Sequence, residues 1–288
     1  MSLVQTIADI RELKIQGAVN IAKAALVAFA EEASRLSSEG KTKAALAESK
    51  AALIATRPTE PALRNLLDRF ERDVAEDLSN AVELASKIVA EVDDASLKIH
   101  QYGANLIEDG MVVYTHCRSS TVTKAIIRAW QSGKRFTVYN TETRPKWQGR
   151  KTATELAAAG IPVNHMVDSA AGIILKKADL FLFGADAVNS YGDVFNKVGT
   201  GLFAHRATEL GVKTFCLTGS LKYDAQTIWG TPETVEERSS GEIWEDPPQN
   251  VAIHNPAFEE VTASDITAIV SEFGVLPPEG FVERAVHD

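Results

Sequence analysis

The stretch MVVYTHCRSSTVTKAI, residues 111–126, decides the fold because a short apolar run passes directly into a helical pattern. Its first part is rich in β-branched residues, as strands are. Four further runs of this kind follow: RFTVYN (135–140), IPVNHMV (161–167), ADLFLFG (178–184) and VKTFCLT (212–218). Helical stretches separate them at residues 119–133, 149–160, 168–178 and 197–211. Strands that alternate with helices predict an α/β domain with a Rossmann-like, doubly wound, mostly parallel sheet.

The N-terminal part of the chain has a different spacing of apolar residues. Apolar residues recur every three or four positions, as in Ile21, Ala24, Ala25 and Ala28, which is typical of helices. The segments SSEGK (37–41) and TRPTEP (56–61) interrupt this pattern, and the prolines of the second leave Arg57 on a loop. We therefore expect an all-helical domain over residues 1–105 and the Rossmann-like domain over residues 106–288.

Composition narrows the classes of function. Hydrophobic residues make up 45% of the chain and charged residues 24%, which is typical of a globular protein. The net charge is −9, and no basic patch is interleaved with aromatic residues, so nucleic acid is not an expected partner. The sequence has no signal-peptide pattern and no apolar stretch long enough to span a membrane, so we expect a cytoplasmic protein without a membrane partner.

Two residues stand where parallel strands of such a sheet end, which is where ligands bind. Cys117 follows the strand MVVYT and precedes a helix that opens with Ser119 and Ser120. The positive end of that helix predicts a thiol pKa lowered from about 8.5 toward neutrality. Asp186 follows the buried run FLFGA, whose apolar residues predict a raised carboxyl pKa. Position alone leaves open a buried structural cysteine and a capping aspartate.

Other polar residues have plainer interpretations. Cys216 lies inside a strand and is expected in the core, and His116 is expected to pack rather than act as a base. Asp168 is expected to be an N-cap. The small residues VGTG (198–201) open a helix suited to holding an anion. The loop TETRPKWQG (141–149) suggests either a specific function or a structural loop whose Arg144 pairs with an acid.

Several familiar sites are missing from the sequence. It has no GxxxxGK[ST] phosphate loop, no GxGxxG after the first strand and no Cys/His cluster at zinc spacing. These absences argue against a nucleoside triphosphatase, a nicotinamide enzyme and a zinc site.

Five segments together resemble one family: THCRSS, TETRPKWQG, VDSAAG, GADAV…NKVGT and NPAF…VLPP. The family contains sugar-phosphate aldose–ketose isomerases and regulatory subunits of translation initiation factor two-B, and the similarity covers most of the chain. Its isomerases use a cysteine and an aspartate at the positions of Cys117 and Asp186. The resemblance thus implies conversion of ribose 1,5-bisphosphate into ribulose 1,5-bisphosphate in nucleoside and AMP salvage, with no metal and no cofactor.

The resemblance also implies a set of residues that bind the substrate phosphates. They are Gly17, Ala18, Arg57, Ser119, Ser120, Thr121, Asn196, Lys197 and Lys222. Where the isomerases usually have an RGAG-like run, this chain has Gln16-Gly17-Ala18-Val19, which lacks one guanidinium and one glycine. The implied partners are a phosphorylated pentose, a nucleotide effector and other copies of the chain, as a homodimer or an assembly of dimers.

Two alternatives stay open at this point. The first is an isomerase of another pentose 1-phosphate, such as 5-methylthioribose 1-phosphate, for which Gln16 leaves room. The second is a non-catalytic sensor of sugar phosphates or nucleotides that belongs to an initiation factor. The regulatory subunits generally lack the cysteine–aspartate pair, so Cys117 and Asp186 favour an enzyme.

Overall fold

The computed structural model describes residues 2–12, 14–231 and 235–287. Contacts divide the chain into two compact units, residues 1–95 and 96–288. The division falls within one long helix, α5 (Ala81–Asn105). The domain boundary after residue 105 stays a proposal. Within the described residues, no helix is both long and apolar enough to cross a lipid bilayer.

The first unit is helical, as predicted. Its helices before α5 are α1 (Leu3–Arg11), α2 (Ala18–Ser38), α3 (Ala47–Ile54) and α4 (Pro61–Asp73). The apolar faces of α2 and α4 meet at Phe29 and Phe70, whose ring centroids are 5.5 Å apart in an edge-to-face arrangement. Both predicted breaks are confirmed, since α2 ends at Ser38 and α4 begins at Pro61, a residue suited to the first turn of a helix.

The second unit is built around a seven-stranded sheet in the order β10-β9-β7-β4-β1-β2-β3. Every pairing is parallel except that of β10 with β9, so the mostly parallel sheet is confirmed. The strands of this sheet are β1 (Val112–Thr115), β2 (Thr137–Thr141), β3 (Val163–Met166), β4 (Leu180–Gly184), β7 (Lys213–Leu217), β9 (Ala268–Ser271) and β10 (Gly274–Leu276).

Five helices in the described part of the chain cover the sheet, and all but the last, α10, lie where the alternation predicted a helix. They are α6 (Ser120–Gln131), α7 (Gln148–Ala158), α8 (Ala171–Ile174), α9 (Thr200–Glu209) and α10 (Pro278–Val286). Side chains alternate between two cores along β4. Phe181 and Phe183 of β4 enter one core with Tyr114, whereas Leu180 and Leu182 enter the other with α6.

A second sheet of three antiparallel strands was not anticipated. It has the order β5-β6-β8 and contains β5 (Ala187–Val188), β6 (Val194–Lys197) and β8 (Phe258–Val261). The predicted turn NSYGD joins β5 to β6, and β8 pairs with β6 from a distant part of the chain. This sheet extends the polypeptide beyond the end of β4 and fixes the residues around Asp186.

Candidate active site

The site lies where the strand order reverses. The chain runs outward from β1 through β2 to β3, and then returns to place β4 on the other side of β1. Such a reversal leaves a crevice at the carboxyl ends of the two central strands. Cys117 follows β1 and Asp186 follows β4, and these strands are direct neighbours, with Thr115 beside Leu182. The topology therefore brings Cys117 and Asp186 to one crevice.

Cys117 is held in an unusual backbone conformation. Its φ is +63°, in the left-handed region that residues other than glycine seldom adopt. Its N–H donates to Thr143 Oγ1 at 3.0 Å, and its carbonyl accepts from Thr152 Oγ1 at 2.9 Å. Strained conformations persist only where the surroundings enforce them, and they are concentrated at functional sites. Neither threonine was identified from the sequence, because both are remote from Cys117 along the chain.

The loop TETRPKWQG supports the Cys117 turn. Asp168 accepts hydrogen bonds from the backbone N–H groups of Thr143 and Arg144, at 2.8 and 2.7 Å. The expectation that Asp168 is an N-cap is therefore wrong, since its carboxylate anchors a neighbouring loop and Val167 is the N-cap. The Arg144 guanidinium packs on the Trp147 ring, 4.5 Å from the centroid. Among the residues that the structure describes, Arg144 meets an acid only through its backbone N–H.

His116 lies beneath the Cys117 turn and is buried. Its Nε2 is 3.3 Å from the Val198 carbonyl oxygen, which can only accept, so Nε2 carries the hydrogen. Nδ1 then accepts from the Thr141 hydroxyl at 2.8 Å. Burial lowers the His116 pKa to about 4, which keeps the ring neutral. The expected packing role is confirmed.

The thiol of Cys117 has a different pKa from the one expected. Burial raises the pKa of this thiol to about 12, although Lys197 and the N–H of Arg118 act in the opposite direction. The predicted lowering is therefore wrong for the ligand-free protein, because desolvation outweighs the positive end of α6. The residue as a whole keeps partial exposure.

Asp186 has the raised pKa that its apolar neighbours predict. Burial is the largest cause, and the positive charges of Lys222 and Lys197 oppose it. The Lys222 ammonium donates a hydrogen bond to the carbonyl of Ala185, which places a cation beside Asp186. Lys197 ends β6 and is buried, with its ammonium 4.8 Å from the centroid of the Phe258 ring. The crevice therefore combines a neutral thiol, a carboxyl that favours its neutral form and two cations.

The start of α6 completes this side of the crevice. Ser119 is the N-cap, and its Oγ accepts from the N–H of Val122 at 3.3 Å. Ser120 and Thr121 form the first turn of the helix, whose N–H groups point beyond the helix end. Asn196 precedes Lys197 in β6 and is also buried. The structure thus gathers the predicted residues of the second unit at the carboxyl edge of the sheet.

The other predicted residues belong to the first unit. Gly17 is the N-cap of α2, with φ of +88°, and Ala18 is the first residue of that helix. Arg57 lies in the turn between α3 and α4, with its Nε 3.9 Å from a carboxylate oxygen of Glu60. Their part in substrate binding stays a prediction.

Comparisons with known proteins agree with this fold. The model of the Initiation factor 2 subunit family matches residues 14–278. A ribose 1,5-bisphosphate isomerase of Methanocaldococcus jannaschii is 35% identical over 96% of this chain and 92% of its own. A methylthioribose-1-phosphate isomerase of Dehalococcoides mccartyi strain 195 is 34% identical over 94% of this chain and 88% of its own.

Solved structures give the same picture. A translation initiation factor eIF-2B of Pyrococcus horikoshii OT3 superimposes with a TM-score of 0.83 at 25% identity, covering 97% of this chain and 98% of its own. The 5-methylthioribose 1-phosphate isomerase of the same organism has a TM-score of 0.80 at 26% identity, covering 99% of this chain and 88% of its own.

Proposed function

The chain belongs to the Initiation factor 2 subunit family, and from that membership we propose that it is an isomerase of ribose 1,5-bisphosphate. The observation that carries the proposal is the placement of Cys117 and Asp186 at the ends of the two central strands. Relatives named for this activity match nearly the full chain. The product, ribulose 1,5-bisphosphate, would pass to a carboxylase in nucleoside salvage.

The reaction moves a proton from C2 of the sugar to C1. We assign Asp186 as the acid that protonates the ring oxygen while its bond to C1 breaks. Cys117, as the thiolate, takes the proton from C2, which leaves an enol phosphate with a double bond between C1 and C2. Cys117 returns the proton to C1 as the C2 hydroxyl gives its own proton to the Asp186 carboxylate, and this yields the ketose and restores both residues. Proton transfer by placed groups contributes about 10²–10⁴-fold to a rate.

The protonation states of the ligand-free site fit one half of this scheme directly. Asp186 has a raised pKa, as a proton donor requires. Cys117 must lose its proton before it can act as the base, and Lys197 is the group that most favours the thiolate. We therefore give Lys197 two roles: its charge favours the Cys117 thiolate, and it binds a phosphate of the substrate.

A second candidate substrate is 5-methylthioribose 1-phosphate. A relative named for this activity is 34% identical to the chain. The family resemblance also places Gln16 where the isomerases usually have an arginine. A bisphosphate needs cations for a second phosphate group, and Lys197 and Lys222 favour it. We also propose that the protein forms a homodimer or an assembly of dimers and responds to a nucleotide effector. Both proposals come from the family resemblance of the sequence.

A substrate panel tests the proposal. Purified protein is incubated with ribose 1,5-bisphosphate or 5-methylthioribose 1-phosphate, and the ketose product is measured, with the Asp186→Asn variant as the control for contaminating activity. We expect ketose from ribose 1,5-bisphosphate with the higher kcat/KM. Ketose from neither sugar would contradict the proposal and favour the sensor alternative.

A further inference from the structure

The N-terminus of α9 is already occupied by a carboxylate of the same chain. Glu259 Oε1 accepts from the N–H of Gly199 at 2.8 Å and from the N–H of Gly201 at 2.6 Å. Glu259 belongs to β8, where it pairs with Asn196 of β6. An anion is stabilised at the positive end of a helix, where N–H groups lack partners within the helix. The segment VGTG (198–201), which we expected to hold an anion, thus binds the carboxylate of Glu259.

The turn around this carboxylate is tightly packed. A methyl group on Gly201 would lie 2.7 Å from the carbonyl oxygen of Glu260 and 3.2 Å from Glu259 Oε1. Gly199 has φ of +103°, and a methyl group there would lie 3.3 Å from His116 Nε2. The turn therefore has little freedom to move while Glu259 holds it.

The same turn controls Lys197. The Thr200 hydroxyl donates to the carbonyl oxygen of Lys197 at 2.6 Å, and the Asn196 side chain donates to Thr200 Oγ1 at 3.2 Å. Lys197 lies over the Phe258 ring, and Phe258 precedes Glu259 in β8. Glu259 thus reaches Asn196 and Lys197 through backbone and side-chain contacts of one short segment.

We infer that Glu259 is a positioning residue that fixes Asn196 and Lys197 for a phosphate group of the substrate. It does so by filling the start of α9, so the phosphate is held by these side chains and not by the helix end. This inference rests on the proposed function. It predicts that Glu259 affects substrate binding through Asn196 and Lys197, although the Glu259 carboxylate itself binds the Gly199–Gly201 turn.

The test compares Glu259→Ala with Glu259→Gln, which keeps an acceptor oxygen but no charge. Glu260→Gln is the matched control, since Glu260 is the next residue of β8 and is exposed. KM and kcat are measured with ribose 1,5-bisphosphate, and Kd is measured by calorimetry with ribose 5-phosphate as the probe. We expect Glu259→Ala to raise KM and Kd by about tenfold or more, since hydrogen bonds to a charged group are among the stronger ones. Glu259→Gln should have a smaller effect, and Glu260→Gln should match the wild type.

A combined variant separates positioning from a general loss of structure. If Glu259 acts through Asn196 and Lys197, adding Glu259→Ala to a protein that already carries Asn196→Ala and Lys197→Ala should change Kd by less than about twofold, because coupled residues are not additive. The inference would be overturned if the separate effects on Kd multiplied in full in the combined variant. It would also be overturned by an unchanged Kd in a folded Glu259→Ala protein.

The two proposals can fail separately in this experiment. A wild type that binds ribose 5-phosphate but does not isomerise the bisphosphate contradicts the proposed reaction, and the Kd values still decide the role of Glu259. A wild type that does not bind ribose 5-phosphate overturns the phosphate site and the inference with it.

Discussion

Gly184, the last residue of β4, lies directly against Ser119, the N-cap of α6. A methyl group on Gly184 would lie 2.5 Å from the hydroxyl oxygen of Ser119 and 2.7 Å from its Cβ. The Cβ is bonded directly to the backbone, and the hydroxyl oxygen is held by the N–H of Val122. The approach of β4 to the start of α6 therefore depends on glycine, with Asp186 two residues after Gly184 and Cys117 two residues before Ser119.

Gly184→Ala should separate the two strand ends. We expect kcat/KM to fall by about tenfold or more, because small misplacements of reacting groups reduce rates strongly. Overpacking should also destabilise the fold by about 1–3 kcal/mol. Steady-state kinetics and a thermal melt check both effects. Gly172→Ala is the matched control, since a methyl group there meets no atom within 4 Å. Equal activity of the two variants would show that the contact does not matter for catalysis.

Local sequence patterns were enough to predict five of the seven strands of the central sheet, and β9 and β10 were missed. Each of β1–β4 and β7 is a short apolar run followed by a helical pattern, so its neighbours along the chain reveal it. The sheet of β5, β6 and β8 was missed because its short strands pair across a long separation in sequence. Such pairing depends on tertiary contacts and not on local propensity.

The candidate site was predicted in position but not in all of its chemistry. The rule that ligands bind at strand ends located Cys117 and Asp186. It could not show that burial would exceed the influence of the α6 N-terminus on the Cys117 pKa. The roles of Thr143, Asp168 and Glu259 were also missed, since their partners are distant in sequence.

Cys216→Ser should reduce stability and leave catalysis unchanged. Cys216 is fully buried beside Phe183 in the core. A serine hydroxyl there would be buried without an assured partner, at a cost of about 1–3 kcal/mol. A thermal melt should show a lower Tm, with kcat close to that of the wild type. A selective loss of turnover without a lower Tm would contradict the core assignment.

His116 should make stability depend on pH. Its folded-state pKa of about 4 lies below the usual value of 6.5, so the unfolded chain binds the proton more tightly. The stabilisation is complete above pH 6.5 and decreases as pH falls toward 4. The loss at pH 5 should be about 2 kcal/mol.

The control for this prediction is His116→Gln, compared with the wild type at pH 7 and pH 5. We expect the variant to lose less stability between these two pH values. His100, whose pKa burial also lowers to about 4, should retain its own contribution in both proteins. Parallel melting curves for the two proteins would contradict the assignment to His116.

Cys117→Ser should abolish turnover while ligand binding survives. A hydroxyl is far harder to ionise than a thiol, so serine cannot replace the proposed base. For the wild type, the raised thiol pKa of about 12 predicts that kcat/KM increases with pH, because the thiolate fraction increases. Above the pKa of Asp186, kcat/KM should level off, because the gain in thiolate is offset by the loss of the protonated acid. Steady-state kinetics over a pH series, with calorimetry of sugar-phosphate binding, measure both. Near-normal turnover by the serine variant would remove Cys117 from the acid–base scheme.

Asp186→Asn separates a catalytic acid from a structural residue. Asparagine preserves volume and hydrogen-bonding capacity but cannot donate a proton to the sugar oxygen. If Asp186 is the acid, kcat with ribose 1,5-bisphosphate should fall by about 10²-fold or more with little change in KM, since only a transition-state interaction is lost. The Tm should not fall, because the substitution also removes a carboxyl group that burial disfavours in its charged form. If Asp186 only caps the turn after β4, the amide should serve as well as the carboxylate, and the rate should survive. A near-normal kcat in a folded Asp186→Asn protein would therefore exclude the proposed mechanism and strengthen the case for a sugar-phosphate sensor.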